Sequence, residues 1–154
     1  MFSATKLTTA LLAAAAASAH IVGIEVYNSG GSHHYARTLG FGGRSSFSVK
    51  FLTEAQEDTK DYSVVLGLSN STADLDPSSI GKTVYFVDLV QLGKTNTSGR
   101  NFTVKVPLRK SYFGASDEET GEYTITAAVT STSGDDGAVG VQFYSAPLNI
   151  TASK

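Results

Sequence analysis

The chain has 154 residues, with 12 basic against 14 acidic side chains, and contains no cysteine and no tryptophan. A net charge of −2 argues against a polyanionic partner, so neither nucleic acid nor an anionic membrane surface is expected to bind. Without cysteine there is no disulfide framework, thiol nucleophile or cysteine-ligated zinc, and stability must come from a hydrophobic core.

The first predicted element is a leader. Lys6 precedes an apolar run from Leu7 to Ala17, and Ala17, Ser18 and Ala19 form the small-x-small pattern that signal proteases read. A signal peptide over residues 1–19, cut between Ala19 and His20, predicts a secreted, extracellular product acting outside the cell or on a host cell. The run is shorter than the ~20 residues that cross a bilayer, and the closing SAPLNITASK has no hydrophobic tail, so no membrane anchor is expected. His20 to Lys154 leaves 135 residues (154 less 19), the size of one domain, 20–154.

From His20 onward a period of two dominates. IVGIEVY (21–27) is β-rich and puts His20 in phase with Val22, Ile24 and Val26. After the glycine-rich loop SGGSHHYARTLGFGGR (29–44), FSVKF turns Phe47, Val49 and Phe51 to one side and Ser48 and Lys50 to the other, as a half-buried strand requires. DYSVVLGLS repeats the pattern with Tyr62, Val64, Leu66 and Leu68. TVYFVDLVQL (83–92) is apolar on both sides. NFTVKVPL sets Phe102, Val104, Val106 and Leu108 against Thr103, Lys105 and Pro107.

Next, Tyr123, Ile125, Ala127 and Val129 alternate with threonines. In VGVQFYSAPLNIT an inward phase through Val139, Val141 and Phe143 changes to Leu148 and Ile150, which predicts a bulge near Pro147. Seven short strands without an amphipathic helix predict an all-β fold: a single immunoglobulin- or fibronectin-like antiparallel β-sandwich with no disulfides. ETGEYTI (119–125) has the acidic-x-Gly-x-Tyr spacing of the tyrosine corner of such domains, with Ile125 where an antibody domain carries cysteine.

Four sets of residues bear candidate chemistry. His20, His33 and His34 are all the histidines of the chain, and a new N-terminus at His20 would offer an amine and an imidazole to copper, with a second imidazole from the loop. The alternative, and the preferred reading, is that His20 heads the first strand and the loop is solvated, so that no metal or cofactor is needed. The acidic stretches EAQEDTKD (54–61), DEETGE (117–122) and GDDG (134–137) offer oxygens for calcium, yet match no calcium loop and read better as solvated turns. Glu54 and Asp61 are a carboxylate pair without a spacing that fixes their separation. Asn70, Asn96, Asn101 and Asn149 each begin an Asn-x-Ser/Thr triplet and are candidate glycosylation sites, Asn101 and Asn149 on the outward phase. No nucleophile elbow, zinc-protease helix or phosphate loop occurs, so a catalytic function is not expected.

Several of these stretches together resemble the necrosis-inducing secreted effector family of plant-associated fungi: Gly23-Ile24 after the leader, TEAQEDTKDYSVVLGL (53–68), SIG (79–81), QLG (91–93), NFTVKVPL, TGEYTITAAVTS and VQFYSAPLNIT. The chain departs from the family in SHHYARTLGFGGRSS and VTSTSGDDGAVG, loops where a partner surface would sit. The resemblance implies a non-catalytic effector that binds a host protein, a plant immune-receptor-associated kinase, suppressing pattern-triggered immunity and at high dose provoking cell death; a monomer is expected. Its motifs are framework strands, so contact is expected at the end loops, around His33 to Gly43 and Asp117 to Glu122. A copper-holding histidine brace and a cell-wall carbohydrate-binding module, the latter using Tyr27, Tyr35 and Phe41, are the competing functions.

Overall fold

The computed structural model describes residues 19–28, 37–39, 46–56, 58–70, 79–95, 99–113 and 121–152. The leader up to Ser18, His33, His34, Tyr35, Phe41, Asn96 and residues 117–120 lie outside the described residues. The strands are β1 (Ala19–Asn28), β2 (Arg37–Leu39), β3 (Ser46–Ala55), β4 (Thr59–Asn70), β5 (Lys82–Asp88), β6 (Phe102–Pro107), β7 (Gly121–Ser133) and β8 (Ala138–Ala152). They form a β-sandwich of two sheets, ordered β1-β3-β6 and β2-β8-β7-β4-β5. All pairings are antiparallel except that of β2, which runs parallel to the last residues of β8, Arg37 opposite Ile150. The seven expected strands are present; β2, at three residues, is too short to show a period in sequence.

Alternation builds the core as expected in most strands. Phe47, Val49 and Phe51 of β3, Val64, Leu66 and Leu68 of β4, and Tyr123, Ile125, Ala127 and Val129 of β7 are buried between the sheets. Each of the Phe, Val, Leu and Ile side chains among them contributes about 1.5–3 kcal/mol relative to exposure. Phe51 and Phe102 stack at 4.9 Å, tying β3 to β6. At the start of β7, Tyr123 meets Phe113 edge-on at 5.2 Å, and Ile125 is fully buried, so packing closes the sandwich where a disulfide would otherwise.

Two of the short motifs are framework turns. In SIG, Ile80 lies so close to Gly67 that a Cβ there would stand 1.7 Å from the Ile80 carbonyl oxygen, and Gly81 takes φ 66°. This close approach coincides with the register shift between Leu66 and Gly67 against β5. In QLG, the Asp88 carboxylate accepts from the Gln91 N–H at 2.9 Å and Gly93 takes φ 64°, so the chain leaves β5 in a tight turn. The apolar run 83–92 is therefore strand only to Asp88, and Leu89 packs into the core from the turn.

Three expected phases are corrected. In β1 an extra residue between Ile21 and Gly23 turns Val22 outward, and His20 and Ile21 are both buried. In β4 a shift between Asp61 and Ser63 does the same for Tyr62, which is exposed, while Asp61 is only 1% exposed and is no solvated turn residue. In β8 the pairing with β7 runs unbroken from Ala138 to Ile150, without a bulge at Pro147. Its single inward phase passes through Ala146, Leu148 and Ile150, and Val139, Val141 and Phe143 point outward.

Candidate functional site

The bulges in β1 and β4 create a buried polar bridge between the sheets. Asp61 faces the start of β1, where its Oδ2 accepts the Ile21 backbone N–H at 2.6 Å and its Oδ1 lies 3.0 Å from His20 Nδ1. On the other side of the ring, His20 Nε2 lies 2.8 Å from Gln142 Oε1 of β8, which also accepts from the Tyr144 hydroxyl. Both ring nitrogens thus face oxygens, and the imidazole joins β1, β4 and β8. Burial, and secondarily the negative charge of Asp61, raise the Tyr144 phenol above its usual value.

This geometry decides how His20 can be used. A chelate through the amine and ring of an N-terminal histidine needs Nδ1, the nitrogen that Asp61 occupies. His20 is the second residue of β1, its ring between Asp61 and Gln142, and the other two histidines lie outside the described residues. Glu54 is exposed while Asp61 is buried, so those two carboxylates share no cleft surface. Among the described residues no group of three or more His, Cys, Asp or Glu side chains is arranged to hold a metal.

The sequons differ in setting. Asn70 closes β4 and is exposed. Asn101 precedes β6, is exposed, and accepts the Thr53 backbone N–H through Oδ1 at 2.9 Å, leaving its amide nitrogen for a glycan. Asn149 is half-buried in β8 opposite Glu122. Tyr27, named with the carbohydrate reading, instead donates to Glu25, whose carboxylate also holds Lys50 at 3.0 Å. The hydrogen bond to Glu25 is the main cause of the raised Tyr27 pKa, with burial next.

That cluster marks the outer face of the three-stranded sheet, where Glu25, Lys50 and Thr103 form one cross-strand row and Tyr27, Ser48 and Lys105 the next. The outer face of the five-stranded sheet is different. One row across it reads Phe86, Val65, Ala128 and Phe143; beside it lie Val141 and Val139, next to Thr130 and Thr132. Phe86 is 58% exposed, Val141 52% and Val139 74%. Tyr62 adds its ring, its hydroxyl accepting from Thr132 at 3.3 Å. Neighbouring exposed apolar residues at this spacing form a patch, unlike single exposed hydrophobics scattered over a surface.

The hairpin that presents Val139 and Val141 is held at its turn. Gly134 and Gly137 take positive φ, Gly137 N–H donates to the Gly134 carbonyl at 3.1 Å, and Gly134 N–H donates at 3.0 Å to the carbonyl of Asp58, itself at φ 62°. The turn between β3 and β4 therefore braces the tip of β7–β8. Of the loops expected to carry a partner, GDDG belongs to this hairpin; His33 to Gly43, apart from the β2 backbone, and Asp117 to Thr120 lie outside the described residues.

A sequence profile of the Nis1 family matches residues 42–149. The chain belongs to the Nis1 family. This is an effector-like family, and the match spans the framework from before β3 to near the end of β8. No relative among curated protein sequences matches the chain. Among solved structures it is similar to the C-terminal domain of Wzt, at 16% identity over 89% of this chain and 75% of that one, with a TM-score of 0.46. It is also similar to AggA, the major subunit of aggregative adherence fimbriae type I from Escherichia coli, at 13% identity over 88% and 96% of the two chains and a TM-score of 0.40. The CooA pilin subunit from enterotoxigenic Escherichia coli follows at 9% identity, 84% and 99% coverage, and a TM-score of 0.31.

Proposed function

We propose that this Nis1-family protein is a secreted, non-catalytic effector that binds a host protein through the outer face of its five-stranded sheet. The partner class is a plant immune-receptor-associated kinase; the outcome is suppression of pattern-triggered immunity, with cell death at high dose. The observation that carries the reading is the apolar row Phe86–Val65–Ala128–Phe143 on the sheet's outer face, with Phe86 58% and Phe143 38% exposed. Family membership supports the effector role, and the kinase rests on the likeness to necrosis-inducing effectors alone.

The test is capture of purified plant receptor-kinase domains by the exported chain. Phe86→Asp, at an exposed position on the outer face, is expected to lower capture at least about tenfold, as removal of an aromatic anchor does. Lys105→Glu, on the opposite outer face, is expected to leave it unchanged. Capture that is insensitive to Phe86→Asp but lost with Lys105→Glu would move the site to the other sheet. No capture of any such domain would remove the kinase from the reading.

A further inference from the structure

The five-stranded sheet has two edges, and they are built differently. At one edge, β5 carries Lys82 and Asp88. The edge strands of the other sheet are likewise guarded, β1 by Glu25 and β6 by Lys105. Charges placed so deter a second strand from adding to the ladder. β8 has no such guard. No acidic or basic side chain occurs from Ala138 to Ala152, and β2 covers only Ile150 to Ala152, so among the described residues Ala138 to Asn149 has no strand on its far side. Ala138 to Phe143 are all exposed.

We propose that this edge pairs with the same edge of a second copy of the chain, antiparallel about a two-fold axis through Val141, joining the two five-stranded sheets into one. An axis there sets Val141 against its own counterpart and Val139 against Phe143, so every outward side chain on the open stretch meets an apolar one. Shifting the axis by one residue would set Val139 opposite Ser145, or Phe143 opposite Gly137, and lose that match. Pro147, which has no N–H to give a ladder, falls opposite Asp135 in the hairpin turn, beyond the paired stretch Ala138 to Tyr144. No like charges meet in this register. Because the brace from Asp58 to Gly134 holds the hairpin, the edge is presented in an ordered form. The pairing does not depend on the partner proposed above, and it replaces the monomer expected from sequence.

The test exploits the self-contact of residue 141. Sedimentation velocity on the purified chain, from about 10 µM to about 1 mM, is expected to show concentration-dependent dimer. Val141→Lys and Val141→Glu alone are each expected to weaken association more than about tenfold, with an unchanged circular dichroism spectrum, because like charges then meet on the axis. Mixing the two variants in equal amounts is expected to restore a dimer, since Lys then faces Glu. The proposal is overturned if the parent chain stays monomeric throughout, if either variant alone dimerises as well as the parent, or if the mixture does not recover. Phe86→Asp, on the opposite edge, is expected to dimerise normally, which separates this result from loss of the host partner.

Discussion

The two halves of β8 both alternate apolar residues with others, yet have opposite duties. From Ala146 to Ile150 the apolar residues of one phase pack against the core, and the strand behaves as a half-buried ribbon should. From Ala138 to Phe143 the apolar residues occupy the other phase and stand in solvent, while the inward phase offers Gln142 to His20. What changes along the strand is what lies beneath it: aliphatic core at one end, a buried polar bridge at the other. Apolar alternation thus identifies a strand, and the neighbouring layer decides which phase is inside.

The bridge is the most sensitive point for breaking this difference. Asp61→Ala leaves the His20 ring and the Ile21 N–H without their buried acceptor and is expected to destabilise the domain by about 3–5 kcal/mol, read by urea unfolding. At the packed end, Ile150→Ala is expected to cost about 2–5 kcal/mol in the same measurement, since the side chain is almost fully buried. At the open end, Val139→Ser is expected to change stability by less than about 0.5 kcal/mol. Equal costs for Ile150→Ala and Val139→Ser would mean that the two halves do not differ.

The smallest effect lies between the halves, at Tyr144. Its phenol is raised chiefly by burial and then by Asp61, so absorbance at alkaline pH is expected to show a tyrosine ionising above its ordinary value of 10.0. Asp61→Asn is expected to bring it down only in part. The sign follows from the direction: the folded pKa exceeds the unfolded one, so the stability tied to the neutral phenol is complete below the unfolded pKa and is lost as pH rises through the folded one.

Much of the sandwich was legible because β3 and β6 alternate without interruption, β7 does so but for the buried Thr126, and Tyr123 and Ile125 fall where such a domain needs them. The bulges were not, because one inserted residue reverses every later side chain and leaves little local mark beyond Gly23 beside the first. Asp61 read as part of an acidic turn, since its partners, the His20 ring and the Ile21 N–H, are distant in sequence. For β8 a usable signal existed: carrying the phase of Leu148 and Ile150 backwards, without a bulge at Pro147, turns Gln142 toward His20 and Val141 out. Taking Val139, Val141 and Phe143 as core concealed the surface on which the functional reading now rests.

Cysteine labelling tests that surface most directly, because the native chain contributes no thiol of its own. Val139→Cys and Leu148→Cys, each in dilute folded protein, would be timed against a maleimide and against the same variants unfolded in denaturant. The expected result is that the thiol at 139 reacts nearly as fast as in the unfolded chain, whereas the one at 148 is slowed by orders of magnitude. Protection at 139 together with rapid labelling at 148 would contradict the outward phase of β8 and the binding face built on it.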